Sequence, residues 1–315
     1  MLTGATGFVG ANLARRLLRE GHRVHLLVRE GHAAWRLAGI RDQVYLHRAD
    51  LGDLPGLQRV VDQVRPEWVF HLAAHGAYSW QTDLEQMVRT NILATANLVE
   101  ACVRAGFEAF VNTGSSSEYG YKDHPPAEGE PLEPNSHYAC TKAAASLLCR
   151  HTARSRGVNL PTLRLYTAYG PYEDPARLFP TLVLRGMRGE LPPLVGPDTA
   201  RDFVFVEDVC DAYLLAASHP GQEPGAIYNV GSGTQTPLRR VVDLAREMLG
   251  IRAAPDWGSM PPRVWDSNVW VADNRKIRDV LGWQPCTSLE EGFRRTVDWF
   301  RQSTAILPLD ERKPT

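Results

Sequence analysis

Through the first 165 or so residues, short apolar runs alternate with longer stretches in which apolar residues recur every three or four positions. The runs at 24–28, 44–47, 68–72, 109–113 and 162–166 predict strands, and the stretches at 10–20, 54–65, 81–105 and 138–156 predict amphipathic helices. Strands recurring after helices of that length imply right-handed βαβ units and a parallel sheet covered on both faces. The expected fold class is therefore α/β, a doubly wound Rossmann-type parallel sheet. Past Gly170-Pro171 the rhythm breaks. Proline-rich stretches (Leu191-Pro-Pro-Leu194, Pro261-Pro262) and short helical patterns at 238–249, 274–281 and 289–301 predict a smaller, interwoven C-terminal lobe.

Two strand-like runs, 202–206 and 227–230, are expected to return to the large sheet. The division that follows is a dinucleotide-binding domain over 1–170, with returning segments near 202–230. A substrate lobe then covers 171–201 and 231–301, and a tail without periodicity covers 302–315. Only Met1-Leu2-Thr3 precede the first glycine loop, where a central strand ordinarily brings four or five apolar residues. A first strand truncated there costs stability; the other possibility is a natural start that lies upstream.

Composition removes several function classes. A formal net charge of -1 gives no bulk field for nucleic acid or an anionic membrane. No apolar run approaches the ~20 residues that span a bilayer, and no secretory leader opens the chain. The five cysteines (Cys102, Cys140, Cys149, Cys210, Cys286) are scattered and never in C-x-x-C spacing. That usage fits a reducing compartment, so a cytoplasmic location is expected. The ten histidines show no metal-ligand pairing, and no metal site is expected.

The run Gly4-Ala-Thr6-Gly7-Phe8-Val9-Gly10 has the spacing of a dinucleotide loop. Gly4 allows the tight turn, Gly7 lets the backbone approach a pyrophosphate, and Gly10 lets the helix pack closely on its strand. The end of the second strand, Val28-Arg29-Glu30, followed by Arg36, bears on which coenzyme is held. A guanidinium there suits the 2′-phosphate of NADP, whereas an acidic residue would hold the ribose diol of NAD. NADP is the favoured expectation, with NAD kept open by Glu30. Asp50-Leu51 would contact adenine, and Leu72-Ala73-Ala74 would line the path to the nicotinamide.

Tyr138 and Lys142 are four apart on a predicted helix, so their side chains share a face. A free tyrosine titrates near 10; a neighbouring ammonium and a cationic nicotinamide ring favour its phenolate. Ser115, at a strand end, can hydrogen-bond a substrate oxygen that alternates between alcohol and carbonyl. Together they form a site for general acid–base catalysis beside a hydride carrier.

These residues resemble the extended short-chain dehydrogenase/reductase family, in its nucleotide-sugar epimerase/dehydratase branch. The similarity runs from Gly4 to about Trp299. It includes His71-Leu-Ala-Ala74, Asn91 in Thr90-Asn-Ile-Leu, Ser115-Ser-Ser-Glu-Tyr-Gly120, Tyr169-Gly-Pro171, Arg201-Asp-Phe-Val-Phe-Val-Glu-Asp208, Tyr228-Asn-Val-Gly231 and Leu281-Gly-Trp283. The resemblance implies a nucleotide-diphosphate sugar as substrate, with Arg201 and Arg263 on its phosphates. It also places Ser116, Ser117 and Thr167 near the sugar, puts Asn91 in the coenzyme set, and implies a homodimer built from the helices around Asn91 and Tyr138. His75, Trp80, Tyr172 and Arg177 lie in loops within reach of the cleft.

Departures from the family pattern narrow the chemistry. Sugar 4,6-dehydratases carry an acidic pair just after the catalytic hydroxyl, where this chain has Ser116 and Ser117. Glu118 could serve only if that loop slips by one residue. Thr167 stands where an asparagine often contacts the sugar diphosphate. Combined with Arg29, the missing pair favours an NADP(H)-dependent reductase of a 4-keto, 6-deoxy nucleotide sugar. The alternative is a nucleotide-sugar epimerase with tightly bound NAD. Less favoured are a 4,6-dehydratase, a non-sugar ketone reductase and a coenzyme-sensing protein without catalysis.

Overall fold

The computed structural model describes residues 1–31, 35–219, 222–261, 269–303 and Leu307. Its strands are β1 (Leu2–Thr3), β2 (His25–Val28), β3 (Tyr45–Arg48), β4 (Trp68–His71), β5 (Ala109–Ser115), β6 (Thr162–Leu165), β7 (Thr167–Tyr169), β8 (Ala200–Phe205), β9 (Ile227–Val230) and β10 (Gln235–Pro237). Its helices are α1 (Phe8–Arg19), α2 (Leu54–Val64), α3 (Leu84–Met87), α4 (Ala94–Ala105), α5 (His137–Arg156), α6 (Leu178–Gly186), α7 (Val206–Ser218), α8 (Leu238–Leu249), α9 (Arg275–Leu281) and α10 (Leu289–Ser303).

Seven strands form one sheet in the order β3-β2-β1-β4-β5-β6-β9, with every neighbouring pair parallel. Successive residues of β4 explain the two covered faces. Phe70 packs into a core with Leu13 and Leu17 of α1 and Tyr213 and Ala216 of α7. Val69 packs on the other side with Leu57 and Val61 of α2 and Leu98 and Cys102 of α4. Both side-chain sets are buried, which is why such strands read as continuous apolar runs. The fold is the expected doubly wound α/β sheet.

β1 is only two residues long, yet both neighbours pair with it. Its shortness is offset by the Thr3 hydroxyl, which accepts the N–H groups of Leu72 and Ala73, each at 3.2 Å.

The smaller lobe has its own three-stranded sheet, β10-β8-β7, and an aromatic core of Tyr169, Phe179, Phe203, Phe205, Phe293 and Phe300. This corrects one expectation. The 202–206 run does not return to the large sheet; residues 202–205 lie in β8, parallel to β7 and antiparallel to β10, and Val206 begins α7. Only the 227–230 run returns, pairing with β6. The predicted strand at 162–166 is β6, followed at once by a second strand that sequence reading did not separate. β6 ends at Leu165, the Ala168 N–H folds back on the Tyr166 carbonyl at 2.9 Å, and β7 continues into the other sheet.

The expected helix at 81–105 starts instead at Leu84, where the Asp83 side chain accepts the Gln86 N–H at 3.0 Å. Its middle, Val88–Leu93, is wound as a π-helix. α7 escaped the sequence reading because its Ala-rich, apolar surface shows little alternation; it is buried between the sheet and α1. Among the described residues, no helix is long and apolar enough to cross a membrane.

Candidate active site

The glycine loop connects β1 to α1. Gly4 has φ +72°, and a Cβ there would lie 2.5 Å from the Leu72 carbonyl carbon. A Cβ on Gly10 would lie 2.3 Å from the Gly4 carbonyl oxygen. Gly4 thus lets the loop touch the end of β4, and Gly10 lets α1 start directly against the loop. Gly7 caps α1 with no side-chain hydrogen bond, and the Ala11 N–H closes on the Gly7 carbonyl at 3.0 Å. The amides of Phe8, Val9 and Gly10 therefore lead the helix, the arrangement that receives an anion. The loop fits the pyrophosphate of a dinucleotide.

Around it, Arg29 is exposed at the end of β2. Arg36 is 7% exposed. Its Nη1 donates to the Thr6 carbonyl at 3.2 Å and its Nε to the Tyr172 carbonyl at 2.7 Å. Those bonds tie Arg36 to the glycine loop at Thr6 and to the loop after β7 at Tyr172. Asp50 turns its carboxylate onto the Gly52 N–H at 2.8 Å, and the Leu51 carbonyl accepts from Asn97 at 2.9 Å. Both sit beyond β3, with Leu72, Ala73 and Ala74 following β4.

A buried polar chain runs from β1 to α5. Thr95 donates to the Asn91 carbonyl at 2.8 Å, so its oxygen accepts from His71 Nε2 at 2.8 Å. His71 Nδ1 then accepts from the Thr3 hydroxyl at 2.8 Å. Burial, helped by the Lys142 ammonium, pushes His71 down to about 3, so it is neutral. The π-helical turn aims Asn91 inward, where it is 1% exposed. Its Oδ1 accepts the His75 N–H, and its Nδ2 donates to the His75 carbonyl and the Thr141 hydroxyl, all at 2.8 Å. Asn91 thus ties the loop at His75 to α5.

Tyr138 and Lys142 lie one turn apart at the start of α5, which Ser136 caps through the Ala139 N–H at 3.2 Å. Burial raises the Tyr138 phenol to about 12; the Ser115 hydroxyl pulls against it, Glu118 adds to it, and Arg177 opposes. Lys142 is 4% exposed, and burial lowers its pKa while Glu118 raises it. Ser115 ends β5, with its hydroxyl 2.8 Å from that of Ser117. The structure thus brings Ser115, Tyr138 and Lys142 together, and Ser116 and Ser117 continue into the turn beside them.

Glu118 resolves an alternative left open by the sequence. It is fully buried beneath the serines. Oε1 accepts the Ser115 N–H at 2.8 Å and the Ser146 hydroxyl at 2.9 Å, and Oε2 accepts Arg164 Nε at 2.8 Å. A carboxylate so held cannot deliver protons to a sugar. Sequence reading missed this because Arg164 lies 46 residues away.

On the substrate side, Thr167 opens β7 and is half-buried. Arg201 lies on β8, its Nη1 donating to the Ala200 carbonyl at 2.7 Å and its guanidinium 5.2 Å from the Trp270 ring. The neighbouring Asp202, also missed, receives N–H bonds from Ser232 (2.6 Å), Gly233 (2.9 Å) and Ala272 (2.9 Å), which fixes the loop after β9. Arg263 lies outside the described residues. Arg177 donates to the Ala77 carbonyl at 3.0 Å and covers the Tyr78 ring, which joins the 75–81 loop to the start of α6. Among the described residues, no group of three or more histidines, cysteines or carboxylates could hold a metal ion.

Comparison with known proteins agrees with this geometry. Residues 1–231 match the model of the NAD dependent epimerase/dehydratase family. The chain is 34% identical to a UDP-glucose 4-epimerase of Mycolicibacterium smegmatis, over 96% of this chain and 99% of that one. It is 30% identical to a dTDP-glucose 4,6-dehydratase of Streptomyces antibioticus, over 97% and 93%. Among solved structures it superposes on MoeE5, which was determined with NAD and either UDP-glucose or UDP-glucuronic acid. The TM-score is 0.83 in both cases, at 33% and 34% identity, covering 96% of this chain and 98% of that one.

Proposed function

The chain belongs to the NAD-dependent epimerase/dehydratase family, and from that premise we propose that it is a C4 epimerase of a UDP-hexose that keeps NAD through its cycle. One observation carries the assignment. The hydride-transfer residues are complete, while the positions for a dehydratase's acid–base pair hold Ser116 and Ser117, and Glu118 is locked to Arg164. The keto-sugar reductase favoured by the sequence is weaker on two counts. Arg36 spends hydrogen bonds on carbonyls, and the named relatives are epimerases and dehydratases, with NAD in the MoeE5 structures.

In this assignment NAD, held at the glycine loop, would supply the hydride acceptor and donor for C4 of the sugar. The chain's own residues supply the rest. The amides at the head of α1 hold the pyrophosphate. The Ser115 hydroxyl donates to the C4 oxygen. Tyr138 takes the C4 hydroxyl proton and later gives it back to the same oxygen, with Lys142 stabilising the phenolate. Arg201 and Thr167 hold the sugar diphosphate. Because burial, with Glu118 adding to it, holds the phenol near 12 in the chain alone, the positive charge of the oxidised coenzyme is needed to bring it into a working range.

A homodimer is part of this proposal. Leu84, Val88 and Leu93 along the α3–α4 helix and Leu147 on α5 are 42–53% exposed, an apolar face on the two helices that carry Asn91 and Tyr138.

Purified protein given UDP-glucose or UDP-glucuronic acid tests the proposal, with products resolved by NMR and the coenzyme released and weighed. Expected are the C4 epimer, no net change in nicotinamide absorbance, and NAD that survives dialysis. An empty site, with NADPH consumed by a 4-keto nucleotide sugar, would restore the reductase.

A further inference from the structure

Sequence spacing puts Glu118 directly after the serines, and the fold turns it underneath them, where its charge faces the working groups from behind. The capping arrangement at Ser115 is reciprocal. The Glu118 carboxylate accepts the Ser115 N–H, and the Ser115 hydroxyl accepts the Ser117 N–H at 3.2 Å. The same carboxylate oxygen also accepts from Ser146 of α5, one turn beyond Lys142. A Cβ on Gly114 would lie 2.8 Å from that oxygen, so the strand end has no slack. Arg164, 1% exposed, anchors the other oxygen; its Nη1 donates to the Glu128 carbonyl at 3.3 Å, and its guanidinium lies 4.6 Å from the Tyr119 ring centre.

We propose that Glu118 is a positioning residue of the hydride-transfer site. Its carboxylate fixes Ser115 at the end of β5 and supplies the negative charge that balances Lys142 from beneath. The groups facing this charge are Arg164 from β6, Lys142, Cys149 and Tyr138 from α5, and Glu128 through Arg164. Arg177 faces Tyr138 from the start of α6, and His71 faces Lys142 from β4.

The signs are consistent with one role. Burial works against the Lys142 ammonium and Glu118 sustains it; Glu118 also holds the proton on Tyr138. An enzyme that removes and restores one proton at one oxygen needs both forms of that phenol within reach. Removing the charge displaces both titrations toward lower pH.

This role rests on the epimerase assignment, but its test does not need turnover. The NAD-loaded protein is titrated by ultraviolet phenolate absorbance, and the difference from a Tyr138→Phe variant isolates Tyr138. In Glu118→Gln the Tyr138 titration is expected about one pH unit lower, and the kcat–pH profile on UDP-glucose or UDP-glucuronic acid is expected to move down with it. If Glu118→Gln does not fold with Arg164 unpaired, Glu118→Gln/Arg164→Met removes both charges and carries the same expectation. A Tyr138 titration that stays in place in the folded variant overturns the proposal. Wild-type protein that epimerises neither sugar overturns the functional assignment instead and leaves the phenolate titration to decide the role of Glu118.

Discussion

Gly10→Ala is the sharpest probe of the coenzyme loop. The added methyl would sit 2.3 Å from the Gly4 carbonyl oxygen, 2.8 Å from its carbon and 2.9 Å from Ala5 Cα, all backbone atoms. Ordinary contact requires α1 and the loop to separate by about 1 Å. Overpacking of this kind costs about 1–3 kcal/mol, and at ~2 °C per kcal/mol for a large chain Tm falls by roughly 2–6 °C. The displaced loop no longer presents its amides together, so NAD is lost on dialysis. Gly7→Ala is the control. Its φ is -85°, and its Cβ meets only the Gly4 carbonyl, at 3.1 Å. If, as the glycine loop's spacing implies, the pyrophosphate approaches Gly7, that methyl displaces it, so NAD is lost while the coenzyme-free Tm stays within about 1 °C of wild type. Calorimetry of coenzyme-free protein and mass spectrometry of released coenzyme read the two effects separately. A Gly10→Ala protein with unchanged Tm and a full complement of NAD would refute the close-packing argument.

Three further outcomes are expected. Tyr138→Phe should lower turnover of the UDP-sugar by about 10²–10⁴-fold while leaving NAD bound, since it removes only the proton carrier; equal loss of coenzyme would mean that Tyr138 acts through binding. Glu173 is 7% exposed, and burial raises it to about 8 from an ordinary 4.5. Between those values the folded chain holds a proton that the unfolded chain has released, so stability falls as pH rises from 4.5 to 8. Glu173→Gln should therefore match wild type near pH 4 and exceed it by at least ~1 kcal/mol at pH 8 in urea denaturation; a difference independent of pH would contradict this. Leu147→Glu, on the exposed apolar face of α5, should convert dimer to monomer in light scattering after size exclusion, without loss of helix content.

Local chemistry was legible in the sequence because local chemistry is what sequence spacing encodes. Gly4, Gly7 and Gly10 act within one turn of chain, and Tyr138 and Lys142 within one turn of helix. Alternating runs likewise gave the parallel layers, since each strand and its following helix are neighbours in space. What stayed hidden depends on distant partners. Arg36 finds the Tyr172 carbonyl 136 residues away, and Glu118 finds Arg164 only once β5 and β6 are side by side. Whether an apolar run joins the large or the small sheet is decided by its pairing partner, so 202–206 and 227–230 looked alike yet part company. The π-helical turn at Asn91 leaves no mark on the hydrophobic period that a helix of 81–105 would lack.

The same distant contacts bear on why a bound coenzyme would stay. Asn12 on α1 donates to the Pro171 carbonyl at 2.9 Å, and Arg36 bridges the Thr6 and Tyr172 carbonyls. The Arg15 guanidinium lies 3.9 Å from the centre of the Tyr172 ring, whose other neighbours are Trp35 and Trp299. Tyr172 itself has φ +66°, a left-handed conformation that costs a non-glycine residue about 1–2 kcal/mol and persists only where its surroundings impose it. The first loop of the smaller lobe is thus clasped onto the coenzyme loop by several independent bonds. Opening that clasp breaks partly buried hydrogen bonds worth about 1 kcal/mol each. A reductase must admit fresh coenzyme at every turnover and would meet that barrier every time. An epimerase regenerates its coenzyme in place and meets it once, so the clasp suits a closed hydride cycle better than an exchanging one.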